Sequence, residues 1–293
     1  MITPRRSVLY MPGSNPRAHD KARSLPCDGV LLDLEDAVAP EEKERAREQA
    51  LATLREGGFG PREVILRTNA LDSPWGRDDL IAGAGSGADA ILLPKVEGPE
   101  GLAEVRDLLS EQGAPAGLAL WAMIETPLAV IRAPEIAAAG PAERYPLTVF
   151  VMGTNDLAKE TRAAIVPGRA PMLPWLSNLV LAARAYGVEV LDGVYNTLDD
   201  PEGFAAECAQ GRELGMDGKT LIHPSQIAPC NAAFSPSDDE VADAREIIAA
   251  FEKPENAGKG AITVNGRMVE RLHAEMARRT VALADAIAAR AGA

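Results

Sequence analysis

Two acidic residues frame the chemistry open to this chain. Glu125 closes the apolar run Leu120–Ile124 and is followed by Thr126 and Pro127. Asp156 follows a second apolar run, Thr148–Met152, after Gly153, Thr154 and Asn155. Proline at a first helical position forfeits no hydrogen bond, so Glu125 reads as the point where a strand turns into a helix. Two consecutive strands of one sheet, each closing on an acid, can bring both carboxylates to one mouth. Alone, Glu125 reads as a capping or surface carboxylate; its counterpart on the next strand favours metal binding. A carboxylate pair completed by water and substrate oxygens suits Mg²⁺, which seldom takes an all-protein cage. A zinc-type centre lacks ligands, since the three His and three Cys form no cluster. Glu125 and Asp156 are the expected metal ligands, and Mg²⁺ the expected ion.

Other strand ends add charge. Arg67 closes VILR, where its guanidinium could clamp a substrate carboxylate or carbonyl, or pair locally with Asp72 or Glu63. Asp33, Glu35 and Asp36 close the run Gly29–Leu34, and at least one is expected to hold Arg67 or Lys95. Lys95, in LLPKVE, could form a Schiff base, but such a site needs no carboxylate-held metal, so a charge-positioning role is preferred. His223, before Pro224, reads as structural. Pro12-Gly13-Ser14, Asp192-Gly193 and Lys219 are expected around the same mouth.

The elements that must carry these residues are legible as apolar runs. Strands are expected at Ser7–Met11, Gly29–Leu34, Val64–Arg67, Ala90–Pro94, Leu118–Ile124, Thr148–Met152, Val188–Leu191 and Gly218–Ile222. Between them, helices are expected at Pro16–Leu25, from Pro40 to Glu56 with Lys43, Arg45 and Arg47 exposed, at Trp75–Ala84, Pro99–Leu109, Pro127–Ala139, Pro174–Tyr186, Pro201–Leu214 and Pro224–Phe234. Ala158–Pro174 reads as a loop. Continuous apolar strands alternating with helices imply a parallel sheet with right-handed crossovers. Eight units predict a (β/α)₈ TIM barrel over residues 1–235, and no G-x-G-x-x-G follows the first strand to support a dinucleotide fold. Residues 236–293 form a C-terminal helical extension: a capped helix to Glu252, a polar hinge, an extended piece at Ala261–Val264 and a helix from Arg267. It is expected to cap the mouth or pack on a neighbouring subunit.

Composition bounds the partners. A net charge of -13 argues against a nucleic-acid surface, and no apolar run approaches the ~18 residues of a membrane span. No signal peptide is read at the N-terminus, and Cys27, Cys208 and Cys230 are expected to be reduced, buried thiols of a cytoplasmic protein.

Seven ordered motifs carry a resemblance: RRSVLYMPGSNPRAHDKA, LLDLEDAV with PEEKERAR, LPKVE, IET, Gly153 with Asp156-Leu157, GK…IHPSQI, and GAI…NGRMVE. The chain resembles the CitE-like acyl-CoA lyases of the HpcH/HpaI aldolase superfamily, which include citrate lyase β subunit and malyl-CoA lyase. The resemblance implies a Mg²⁺-dependent TIM barrel, a homotrimer or homohexamer, that cleaves a 3-hydroxy-acyl-CoA thioester of malyl-, citramalyl- or citryl-CoA type through an enolate. Acyl-CoA and a small oxo-acid are its implied partners. A malyl-CoA thioesterase, or a CoA-ester-binding subunit of a larger complex, are the alternatives. Carried over residue by residue, Glu125 and Asp156 match the metal ligands and Arg67 the substrate arginine. Arg5, Ser7, Pro12, Gly13 and Lys21 would lie along CoA. Glu270 stands where the family usually places an Asp that reaches a neighbouring subunit's mouth. Glu270, Asp33 and Glu35 are the candidate acids or bases, and the longer Glu270 side chain leaves room for thioesterase chemistry.

Overall fold

The computed structural model describes residues 2–291. Eight strands pair in parallel in chain order, and the last closes on the first. They are β1 (Ser7–Pro12), β2 (Gly29–Asp33), β3 (Glu63–Arg67), β4 (Ala90–Leu93), β5 (Ala119–Ile124), β6 (Leu147–Met152), β7 (Glu189–Asp192) and β8 (Gly218–Leu221). The surrounding helices are α1 (Pro16–Ala22), α2 (Lys43–Glu56), α3 (Gly76–Ala84), α4 (Pro99–Glu111), α5 (Pro127–Ile131), α6 (Ala133–Ala138), α7 (Thr154–Thr161), α8 (Leu173–Ala185), α9 (Pro201–Glu213) and α10 (Ile227–Phe234). This is a (β/α)₈ barrel.

Strand periodicity divides its core in two. Val8, Leu31, Ile65, Leu92, Trp121, Met123, Val149 and Leu191 pack together inside the barrel. Their neighbours Leu9, Leu32, Leu66, Ile91 and Phe150 belong to the layer under the helices. Successive side chains of a strand point to opposite faces, which is why runs apolar at every position serve both layers. Arg5 closes the N-terminal end. It forks onto Glu63 at 2.6 and 2.9 Å, reaches Glu189 at 2.6 Å, and lies 5.5 Å from the Trp121 ring centre.

Four expectations about the elements need correcting. Lys43 is not on an exposed face: it is buried, and its ammonium donates to the Leu34 and Glu35 carbonyls at 2.9 and 2.7 Å. Arg47 likewise pairs with buried Asp79 at 3.0 Å. The expected helix Pro127–Ala139 is two, broken at Arg132, because Pro134 offers no N–H to continue the ladder. Ala158–Pro174 is not all loop, since α7 runs to Thr161 and Arg162 stops it in a left-handed conformation. The helix expected from Arg267 begins at Arg271 instead. Asn265 and Gly266, both at positive φ, turn a hairpin there, as a two-residue Asn-Gly loop favours.

Residues from Ser235 on, with those before Arg5, form a second compact unit. In it α11 (Asp238–Glu252) opens on a capping box between Ser237 and Glu240. The hairpin β9 (Ala261–Val264) with β10 (Arg267–Glu270) and the helix α12 (Arg271–Ala291) follow. Ile247, Ile262, Val264, Val269 and Ala274 make its core. Cys27, Cys208 and Cys230 are buried and free of disulfides. No helix among the described residues is long and apolar enough to cross a membrane.

Candidate functional site

The C-terminal ends of the strands open on a cavity of about 300 Å³, lined by Tyr10, Asp33, Asp36, Arg67, Met123, Glu125, Asn155, Asp156 and Asn196, among others. A larger groove of about 650 Å³ lies between α5, α6, α7 and α8, but no carboxylate or cation lines it. The strand-end acids and the Arg67 guanidinium line the smaller cavity.

Glu125 follows directly on β5 and is 1% exposed. One carboxylate oxygen accepts the Lys95 backbone N–H at 2.8 Å. Lys95 holds a left-handed turn, φ 51°, that aims this N–H while its side chain is exposed. Gly153 gives Glu125 room, since a Cβ there would stand 2.3 Å from the Glu125 Cβ. Burial raises the Glu125 carboxyl to about 7; the Lys95 N–H opposes this, and Asp156 raises it further. Asp156 lies in the first turn of α7, where helix amides already favour an anion, and not at the end of β6.

A buried acid in no ion pair among the described residues, beside a second acid, fits a hard divalent cation. Among the described residues no three His, Cys, Asp or Glu side chains converge as a metal cage. Glu125 and Asp156 could supply two oxygen ligands, with the remaining positions left to water or substrate, a donor set that Mg²⁺ tolerates.

Arg67 is 5% exposed. Its partner is neither Asp72 nor Glu63 but Asp33, its neighbour across the β2–β3 register, which it grips through Nε at 2.6 Å and Nη2 at 2.7 Å. Nη1 stands 2.6 Å from Glu35, off the line of a hydrogen bond, and 3.4 Å from Asp36. Asp33 also accepts the Glu35 and Ala37 backbone N–H groups. Its lone pairs are occupied, so Asp33 orients Arg67 and is not free to move a proton. Glu35 differs: burial raises its carboxyl to about 8, Arg67 lowers it in part, and Asp36, Glu125 and Asp33 raise it again.

The residues expected along CoA separate. Pro12 ends β1 and Gly13 follows it; the Pro12 carbonyl accepts from His19 and the Gly13 N–H donates to the Asp33 carbonyl at 2.7 Å. Lys21 is exposed on α1. Arg5 and Ser7 are at the other end of β1. Arg5 is spent on Glu63 and Glu189, and buried Ser7 donates to Asn231 at 2.7 Å. A six-residue strand spans about 20 Å, so one motif reaches both ends of the barrel. Arg5 and Ser7 are therefore structural. Asp192 and Lys219 are also withdrawn from the open mouth, fully buried and paired at 3.0 Å. His223 caps the turn Pro224–Gln226. Glu270 is exposed at the end of β10, in the second unit.

Sequence reasoning missed Tyr10, the Lys95 backbone N–H and Lys43. The signal for Tyr10 was its place two residues before Pro12, on the inward-facing register of β1.

His19 pins the first loop. A carbonyl can only accept, so Nε2–H donates to Pro12 at 2.9 Å and Nδ1 accepts from the Thr53 hydroxyl at 2.8 Å. Burial holds this imidazole below its ordinary pKa, with the Pro12 bond partly opposing. The neutral form is the folded form, so its contribution is complete above the unfolded value of about 6.5 and is lost as pH falls through the folded one. Urea unfolding of the wild type should weaken by up to about 1.4 kcal/mol per pH unit in that window. His19→Gln should flatten that slope; an unchanged slope would remove His19 as its source.

The model of the family described as HpcH/HpaI aldolase/citrate lyase matches residues 6–224. A (3S)-malyl-CoA thioesterase of Cereibacter sphaeroides is 48% identical over 98% of this chain and 96% of its own. The citrate lyase subunit beta of Escherichia coli is 35% identical over 91% and 88%. The crystal structure of protein CitE from Mycobacterium tuberculosis in complex with magnesium, acetoacetate and coenzyme A superposes with a TM-score of 0.76 at 28% identity, covering 95% of this chain and 97% of that one.

Proposed function

The chain belongs to the HpcH/HpaI aldolase/citrate lyase family, and on that premise we propose that it hydrolyses the thioester of a malyl-CoA-type substrate with Mg²⁺ held by Glu125 and Asp156. The observation that carries the reading is the buried Glu125, in no ion pair among the described residues, beside Asp156 in the barrel's mouth. The motifs alone put carbon–carbon cleavage first; 48% identity to a malyl-CoA thioesterase along nearly the whole chain moves hydrolysis ahead of it. Cleavage to acetyl-CoA and glyoxylate is the second reading, favoured by the 35% identical citrate lyase subunit.

When bound, Mg²⁺ would supply Lewis-acid charge to substrate oxygens. Around it, Asp33 holds Arg67 so that its positive charge faces the cavity. Glu35, whose carboxyl burial pushes up to about 8, can give a proton at the same mouth. Pro12, Gly13 and Lys21 are the proposed CoA side. Glu270, exposed on its hairpin, is the proposed acid or base offered to a neighbouring subunit of a homotrimer or homohexamer. The cytoplasm, where the three free thiols stay reduced, is the proposed compartment.

Product analysis after incubation with malyl-CoA and Mg²⁺ tests the reading. Free CoA with malate is the expected result. Acetyl-CoA with glyoxylate would establish the lyase instead, and turnover indifferent to EDTA would sink both.

A further inference from the structure

The mouth holds more negative charge than its donors can answer. Both N–H directions that Arg67 turns toward Asp33 are taken, and Nη1 faces Glu35 and Asp36. The amides of Asn155 and Asn196 donate to each other. The Thr220 hydroxyl donates to the Asp192 carbonyl at 3.0 Å. Two lining hydroxyls remain, on Thr154 and Tyr10. Thr154 is only 8% exposed, whereas Tyr10 is part-exposed into the cavity. The Tyr10 hydroxyl makes no hydrogen bond to any described residue. Its ring is held in place: Arg67 stacks 5.0 Å from the ring centre, and the apolar layer inside the barrel packs beneath. A pinned phenol with an unspent O–H, aimed into a site built for an ester, is a preorganised donor.

We propose that the Tyr10 hydroxyl is a catalytic hydrogen-bond donor to the thioester carbonyl oxygen of the bound CoA ester, holding the negative charge that develops there. The assignment rests on the proposed function for its substrate, but not on the choice between hydrolysis and cleavage. In hydrolysis, water adds to the thioester carbon and gives up a proton while the C=O electrons move onto the carbonyl oxygen; they return as the C–S bond breaks and the departing CoA sulfur takes a proton. In cleavage, the substrate hydroxyl gives up its proton and becomes the oxo-acid carbonyl, the electrons of the breaking C–C bond pass into an enolate with its charge on the same thioester oxygen, and a proton then adds to the enolate carbon. Either way one oxygen gains charge, and one neutral donor serves it. No proton need leave Tyr10. Burial keeps the phenol protonated far above neutral pH, with Arg67 opposing in part.

Tyr10→Phe removes only the hydroxyl and leaves the ring over Arg67. With Mg²⁺ present, kcat should fall about 10²-fold with KM little changed, the pattern of an interaction made in the transition state. A second readout needs no turnover. A trifluoromethyl-ketone analogue of acetyl-CoA, which mimics the charged oxygen when hydrated, should bind about 10-fold more weakly to Tyr10→Phe, while free CoA binds both proteins equally. The unfolding midpoint should stay within about a degree. A kcat within twofold of wild type, or equal binding of the analogue, overturns the assignment. If the wild type turns over no malyl-CoA but the analogue still senses Tyr10, the contact stands and the proposed substrate falls.

Discussion

Glu125→Gln is expected to lower Mg²⁺-dependent turnover of malyl-CoA by about 10³-fold, the equivalent of the several kcal/mol that a bound cation contributes to a developing oxyanion. The substitution keeps the side chain's size, and the amide oxygen can still accept from the Lys95 N–H. What it removes is the anion. Glu125 is buried in no ion pair among the described residues, and burial disfavours its anion, so the neutral amide should not destabilise the fold. Retained stability with lost activity is thus the signature that separates a metal ligand from a structural acid. Mg²⁺ binding followed by calorimetry should fall in parallel, and Asp156→Asn should weaken it too. Because both acids act as one pair, the double variant should be little worse than Glu125→Gln alone. If Glu125→Gln retained more than a tenth of wild-type activity, the metal reading would be abandoned.

Asp192→Asn is expected to cost about 3–5 kcal/mol of stability, the usual price of leaving buried charge uncompensated. Asp192 is fully buried at the end of β7 and shared by two cations, Lys219 at 3.0 Å and Arg169 at 2.7 Å. Glu207 lies 2.6 Å from Lys219, so the cluster is neutral as two cations and two anions. Asparagine would leave two buried cations facing one carboxylate. Burial works to raise the Asp192 carboxyl, but Lys219 and Arg169 overcome it and hold it below the ordinary value. A depressed folded pKa contributes stability that is present above the unfolded value of about 3.9 and disappears as pH falls through the folded one. The variant should therefore lose stability at pH 7 and lose part of the acid-side slope below pH 4. Urea titration at both pH values measures this, and a loss under about 1 kcal/mol at pH 7 would show the cluster to be dispensable.

The two variants probe groups that looked alike in the sequence. Asp192 and Asp156 each follow an apolar strand, and both were expected around one mouth. One is neutralised by Lys219 and Arg169 from β8 and the loop before α8; the other lines the cavity and forms no ion pair among the described residues. Lys43 and Lys95 divide similarly. Lys43 opens α2 and Lys95 follows β4, yet Lys43 turns inward to carbonyls while Lys95 contributes its backbone. Strand position determines which end of the barrel a residue occupies, and nothing local reveals which partner another strand brings.

By itself, the sequence determined the barrel, because eight apolar runs separated by capped, amphipathic segments can bury both faces of a parallel sheet in few other ways. It determined that Glu125 and Asp156 share a mouth, since both follow consecutive strands. The tertiary structure decided which charges are free. Ion pairing joins residues far apart in the chain, such as Arg67 with Asp33 and Lys219 with Asp192. It is set by distances of a few ångströms that no spacing encodes. Only when Asp33 and Asp192 are seen to be spent do Glu125 and Asp156 stand out as the proposed cation ligands and Tyr10 as the proposed donor.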